Sequence, residues 1–256
     1  MILYKKDIIK DEESEFRSIF ISDLHLGTKF AKSKELLEFF KYTKSENLYL
    51  VGDIIDGWAI KRKIHWAQSH SDVVQKILKK ARKDTSVFYV SGNHDDFLRG
   101  FLPLRLGNSL EIRDCFDYIS LKGERFLVTH GDFFDSVTMT KKWLAMLGDI
   151  GYDFLLNVNQ QLVWVCHKLK IQSQWSLSAY VKENVKSTVN FITDFEDILS
   201  THAKKNKYNG VICGHIHKAE IRSIDGVVYV NCGDWVESCT AVVETLNGEF
   251  KLIKWI

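Results

Sequence analysis

Short apolar runs rich in β-branched and aromatic residues alternate with amphipathic stretches along the amino-terminal half of the chain. Residues 17–22, with Ile19, Phe20 and Ile21, read as a first strand, residues 48–51 as a second and residues 86–90 as a third. Between them, residues 33–44 place Leu36, Leu37, Phe39 and Phe40 at helical spacing, with Ser33 as a candidate N-cap. Residues 72–82 do the same with Val73, Val74, Ile77 and Leu78. Strand, helix, strand, helix, strand predicts an α/β fold built on a mainly parallel sheet with right-handed crossovers. Residues 116–120 and 125–129 form a predicted hairpin around Lys122-Gly123.

The pattern changes at residue 134. Up to residue 207 the chain reads as helical, rich in tryptophan and poor in turn residues, with a long helix expected over 178–200. Strands return at 210–213, 220–224, 227–230, 240–244 and 250–255. The expectation is one domain over residues 16–256, carrying a helical insertion at 134–207. The lead-in, residues 1–15, is expected to be frayed or loosely docked.

Composition narrows the class without choosing a function. The chain has 256 residues, 45% hydrophobic and 27% charged, long enough for a substantial core and ordinary for a water-soluble fold. Its net charge of +2 gives no electrostatic footprint for duplex nucleic acid, so a nucleic-acid partner is not expected. The five cysteines are odd in number and scattered, which argues against a disulfide framework and for a reducing, cytoplasmic setting. No secretory leader is read in the mixed charges of residues 1–15, and the longest uncharged stretch, 154–167, is too short and too polar to span a bilayer. Nothing in the sequence signals an oligomeric state.

The chemistry sits where the predicted strands end. The first ends in Asp23-Leu24-His25, the second in Gly52-Asp53-Ile54-Ile55-Asp56, the third in Gly92-Asn93-His94-Asp95. The later strands end in His130-Gly131-Asp132 and Gly214-His215-Ile216-His217. In open α/β sheets ligands gather at the carboxyl ends of strands. Asp23, His25, Asp53, Asn93, His130, His215 and His217 offer hard oxygen and imidazole donors without thiolate, a set suited to Mn²⁺, Fe, Co²⁺ or Zn²⁺ rather than Ca²⁺. Seven such groups are too many for one ion and natural for two ions that share a carboxylate. Paired ions about 3.5–4 Å apart clamp an in-line phosphoryl displacement. His65, His70, His167 and His202 belong to no motif and read as structural. Lys61-Arg62-Lys63 reads as a solvated charged loop.

These motifs, in this order, resemble those of the calcineurin-like binuclear metallophosphoesterases, over residues 18–256. The resemblance implies a four-layer sandwich, with two central mixed sheets flanked by helices and the site on one edge. It implies that Asp23, His25 and His217 hold one divalent ion, most simply Mn²⁺, that Asn93, His130 and His215 hold the other, and that Asp53 bridges them. It also implies that Asp56 braces His94 and that His94 reaches the scissile phosphate. Gly52–Trp58, Trp175–Tyr180, Cys213–Glu220 and Gly233–Ser238 are similar to segments of the UDP-2,3-diacylglucosamine pyrophosphatases of lipid A synthesis. Those enzymes release UMP and 2,3-diacylglucosamine 1-phosphate. The closer resemblance implies a nucleotide-linked lipid substrate with acyl chains held by the insertion, and amphipathic helices rich in Trp and Lys can also rest on the cytoplasmic face of the inner membrane. Lys182, Asn184 and Lys186 become candidate substrate contacts. One departure stands out: the well-studied branch carries arginine and glutamate where this chain has His94 and Asp56. The competing expectation is a soluble phosphodiesterase or nuclease acting on nucleotides or on another nucleotide-linked pyrophosphate. A non-catalytic scaffold would have lost ligands, and all seven are present.

Overall fold

The computed structural model describes residues 2–9, 14–134 and 192–256. Residues 1–132 and 196–256 form one compact unit, which carries every strand-end motif. In chain order it contains β1 (Ile2–Tyr4), α1 (Lys5–Ile8), β2 (Ser14–Ile21), α2 (Ser33–Tyr42), β3 (Thr43–Val51), α3 (Gly57–Arg62), α4 (Gln68–Arg82) and β4 (Ser86–Val90). A 3₁₀ turn, Asp96–Phe101, precedes β5 (Leu104–Leu106), β6 (Leu110–Arg113), β7 (Cys115–Ile119) and β8 (Arg125–Thr129). A helix, α5 (192–205), leads into β9 (Gly210–Cys213), β10 (Glu220–Ile224), β11 (Val227–Asn231), β12 (Thr240–Glu244) and β13 (Phe250–Lys254).

The strands make two mixed sheets, ordered β1-β13-β12-β2-β3-β4-β6-β5 and β10-β11-β9-β8-β7. In the first, β2, β3 and β4 run parallel, with Ile19 opposite Leu48 and Leu48 opposite Val87. Side chains of a strand alternate between faces, and β2 shows how the core divides. Ile19 and Ile21 pack with Leu36, Phe39 and Phe40 of α2 and with Val73 and Ile77 of α4. Phe20, between them, points the other way, into a cluster with Tyr49, Val90, Phe126, Val128, Ile212 and Val230 contributed by both sheets. Its ring stacks on Tyr49 at 4.8 Å, and Tyr49 stacks on Phe88 at 4.6 Å. The two sheets therefore face each other across an aromatic layer, with helices on the outer side of the first. On the second, Glu196 of α5 pairs with Lys218 and Arg222, and Lys204 Nζ donates to the Asp225 carbonyl.

Several expectations need correction. The lead-in is docked rather than frayed: β1 pairs in parallel with β13, and Ile8 is buried in the cluster beneath α2. Strand β3 starts at Thr43, because Ser14–Phe16 of β2 pairs with its polar first residues. Ser33 does not cap α2; it is the first helical residue, and its hydroxyl meets that of Ser69 at 2.7 Å. Strands β5 and β6 extend the first sheet beyond β4 and have no counterpart in the sequence reading. Of the expected insertion, only 134 and 192–207 lie within the described residues; 134 ends a 3₁₀ turn and 192–205 is helical. Residues 135–191, with Lys182, Asn184 and Lys186, lie outside them.

Candidate metal centre

Five strand ends meet at one edge of the unit. Strand β2 delivers Asp23 and His25, β3 delivers Asp53 and Asp56, and β4 delivers Asn93 and His94, all from the first sheet. Strands β8 and β9 of the second sheet deliver His130, His215 and His217. The loops after β2 and β3 zip together through their backbones: Asp23 N donates to Gly52 O at 3.0 Å, His25 N to Asp53 O at 2.9 Å and Leu26 N to Ile54 O at 2.9 Å. Across to the second sheet, His215 N donates to Asp23 Oδ2 at 3.0 Å.

This convergence needs unusual backbone. Asp23, His25, Asp53, His215 and His217 all have positive φ, between 46° and 72°. Non-glycine residues rarely occupy the left-handed region, and when they do so together they mark a functional site. Close approach matters as well. A Cβ on Gly92 would lie 2.1 Å from Asp53 Oδ1, and one on Gly52 would lie 2.2 Å from the His130 ring. Those two positions admit only glycine if Asp53 and His130 are to stay in place.

The donor atoms fall into three overlapping groups, each with atoms within 4.8 Å of one another: Asp23, His25 and His217; His25, Asp53 and His94; Asp53, His130 and His215. Asp53 Oδ2 lies 3.3 Å from His130 Nε2 and 3.9 Å from both His25 Nε2 and His94 Nε2. His217 Nε2 lies 3.1 Å from Asp23 Oδ1. These distances are those of groups that could share cations. The imidazoles are oriented for it. His130 Nδ1 is 2.9 Å from Val51 O, which can only accept, so Nδ1 carries the proton and Nε2 turns its lone pair inward. His25 Nδ1 is 3.1 Å from Asp56 Oδ2, which leaves its Nε2 facing the centre. His25 Nε2 and Asn93 Oδ1 are buried without a hydrogen-bond partner. Buried polar atoms normally find partners, and lone pairs left orphaned in this way are what bound cations would satisfy. The residues present therefore fit a metal centre.

In the protein alone the carboxylates and imidazoles stabilise one another's charge. Burial opposes charge on every member, yet the opposite charges prevail. His217 is raised to about 9 despite its burial, because Asp23 faces it. Asp23 is lowered to about 2 against its own burial, by His217 and His130. His130 stands well above the ordinary imidazole value, with Asp53 the chief partner overcoming burial. Asp53 lies well below the usual carboxylate range, held there against burial by His130, His94 and His25.

Asp56 braces His94, Oδ2 to Nδ1, at 3.0 Å, and the same oxygen reaches His25. Its other oxygen caps α3, accepting from Ala59 N at 2.6 Å. Half-buried Trp58, two residues on, lies over the His94 ring at 4.4 Å between centroids. Two carboxylates went unassigned in the sequence. Fully buried Asp95 accepts from Ile54 N at 3.0 Å, Ile55 N at 2.8 Å and Tyr89 Oη at 2.8 Å, fixing the loop that carries Asp53. Burial, with the charge of Asp53 added, raises its pKa to about 6. Asp234 Oδ1 accepts from the backbone of Val236, Glu237 and Ser238, and so shapes the turn in which Trp235 N donates to Asp23 O at 3.0 Å. Both sit in segments quoted above, Gly92–Asp95 and Gly233–Ser238, but their partners are remote in sequence. His70 is structural, as expected: its Nδ1 accepts from Gly27 N at 3.2 Å.

Carboxylate and imidazole donors gathered at the carboxyl edges of two facing sheets, around one shared aspartate, describe a metal-dependent hydrolase of phosphoesters. A sequence model of the calcineurin-like phosphoesterases matches residues 16–219, and the chain belongs to that family. It is 26% identical over 226 residues to the UDP-2,3-diacylglucosamine hydrolase of Neisseria gonorrhoeae, covering 85% of this chain and 89% of that protein. It is 24% identical over 249 residues to the UDP-2,3-diacylglucosamine hydrolase of Haemophilus influenzae, covering 93% and 98%. Among solved structures, a novel archaeal phosphodiesterase aligns with a TM-score of 0.46 at 15% identity, over 93% of this chain and 98% of that one.

Proposed function

We propose that this chain hydrolyses UDP-2,3-diacylglucosamine to UMP and 2,3-diacylglucosamine 1-phosphate, using two divalent ions, most simply Mn²⁺. The observation that supports the two-ion reading is the run of three overlapping donor groups, linked through His25 and Asp53. For the substrate, support comes from relatives of that activity that align over nearly their whole length. In this reading Asp23, His25 and His217 hold one ion, Asn93, His130 and His215 the other, and Asp53 both. When bound, paired divalent ions activate water near neutral pH and neutralise charge on phosphoryl oxygens.

The protein's own residues supply the rest. Asp56, an ionised acceptor, fixes the His94 ring through Nδ1 and turns Nε2 toward the centre. From there His94 donates a hydrogen bond to the phosphoryl or leaving oxygen, and Trp58 keeps water from one face of its ring. Water adds across the P–O–P bridge and each phosphorus keeps one oxygen of the broken anhydride or of the water. We assign recognition of the lipid moiety to the 134–207 insertion, keep Lys182, Asn184 and Lys186 as candidate substrate contacts, and assign the setting to the cytoplasmic face of the inner membrane. Among the described residues no helix is long and apolar enough to cross a membrane.

The test is turnover with Mn²⁺ on three substrates: UDP-2,3-diacylglucosamine, a UDP-sugar without acyl chains, and an aryl phosphodiester. Preference for the acylated substrate is expected. Equal turnover with and without acyl chains would sink the lipid reading and favour a soluble nucleotide phosphodiesterase.

A further inference from the structure

The two loops that carry Asn93 and His130 come from different sheets, and both are proposed to serve the same ion. Asn93 follows β4 and His130 follows β8. Asn93 Oδ1 has no hydrogen bond of its own, so its place depends on how its loop is held. The hold is visible one turn later. Arg99, on the 3₁₀ turn Asp96–Phe101, reaches back with Nη2 to Asp132 Oδ2 at 2.7 Å. Its Nε lies 3.4 Å from Ser91 Oγ and 3.4 Å from Asp114 Oδ1. Ser91 Oγ in turn donates to Asp114 Oδ1 at 2.7 Å. Ser91 is two residues before Asn93, Asp132 two after His130, and Asp114 lies in the step from β6 to β7, where the chain passes from the first sheet to the second. One guanidinium thus joins both ligand-bearing loops and the crossing between the sheets.

We propose that Arg99 is a positioning residue, which sets the spacing between Asn93 and His130 and so tunes the affinity of the second ion. The inference rests on the two-ion reading above. A planar guanidinium suits the task because its donors are fixed in a fork and meet carboxylates at set angles. The Arg99 side chain is 28% exposed, against 10% for Asp132, so the pair is partly shielded from solvent and replacement does not open the core. Asp23, His25 and His217 have no part in the network, so the first ion is not expected to respond.

The test is Mn²⁺ titration of metal-free protein, read by calorimetry and by the exchange-coupled electron paramagnetic resonance signal of a paired site. Wild type, Arg99→Gln, Asp132→Asn and the double variant are compared, with metal-free thermal stability recorded for each. In each single variant the second ion should bind about 10–100-fold more weakly, as for other residues that orient metal ligands. The first ion and the metal-free melting temperature should stay at wild-type values, with the coupled signal giving way to that of a single ion. Because the two residues act as a pair, the double variant should lose no more than either single variant. Second-ion binding unchanged in Arg99→Gln would overturn the proposal. So would equal weakening of both ions together with a lower metal-free melting temperature, the mark of a merely structural residue. If wild type takes up only one ion, the two-ion reading falls, and this inference with it.

Discussion

Asp53 and His94 do different work, although their side chains approach within 3.9 Å. Asp53 joins two of the three donor groups and serves both ions in the proposed assignment, so Asp53→Ala should abolish stoichiometric Mn²⁺ binding, as measured by metal analysis after gel filtration. In the proposed mechanism His94 serves the proton and phosphate side of the reaction. His94→Ala should retain both ions and slow turnover by roughly 10²–10⁴, the range of a general acid or hydrogen-bond donor. Wild-type turnover in that variant would remove His94 from the mechanism. Asp95 accepts from three backbone amides, those of Gly92, Ile54 and Ile55, and from a tyrosine, and an asparagine there keeps a single acceptor oxygen. Asp95→Asn should therefore cost about 1–3 kcal/mol in urea unfolding, the price of a buried donor left unpaired. At this scale the sequence was informative where a residue's chemistry is its role. The six carboxylate and imidazole candidates fall together in the donor groups. It was silent on Asp95 and Asp234, whose meaning lies in backbone amides that a motif does not display.

Among the elements, the long amphipathic or β-branched stretches were legible and the short ones were not. Helices α2 and α4 bury Leu36, Phe39 and Phe40, and Val73 and Ile77, on one face, although Leu78 of α4, expected inward, is exposed; β4 and the last residues of β2 are apolar runs, so period largely finds these elements. Strands β5 and β6 span Leu104–Leu106 and Leu110–Arg113, too short to establish a period, and exist because β4 leaves an edge to extend. The first residues of β3 are polar, and they are extended only because β2 pairs with them. The amino-terminal β1 and α1 are the plainest case. Their charged residues suggest solvent, while Ile8 is 3% exposed. Ile8→Ala should lower unfolding free energy by about 2–5 kcal/mol, as for other buried aliphatic truncations. An unchanged denaturation midpoint would restore the loosely docked lead-in.

For the molecule as a whole, the arrangement of sheets decides where chemistry is possible. Parallel strands of the first sheet and strands β8 and β9 of the second present their carboxyl ends to one edge, and the aromatic layer around Phe20 and Tyr49 sets the gap between them. The fold class followed from the alternation of elements. The pairing of two sheets followed only from the family resemblance, since no local pattern encodes which apolar face meets which. Ligand binding to the native state alone stabilises it by about 2.7 kcal/mol at a hundred times Kd. Chelation should accordingly lower the melting temperature of wild type and leave that of Asp53→Ala unmoved.

In the proposed assignment each ion takes ligands from both sheets: Asp23 and His25 with His217, and Asn93 with His130 and His215. The cations then work as a clasp across the seam of the sandwich. A cell short of the metal would hold not merely an idle enzyme but a looser one, more open to proteolysis, so that the protein's lifetime would report the supply of its own cofactor.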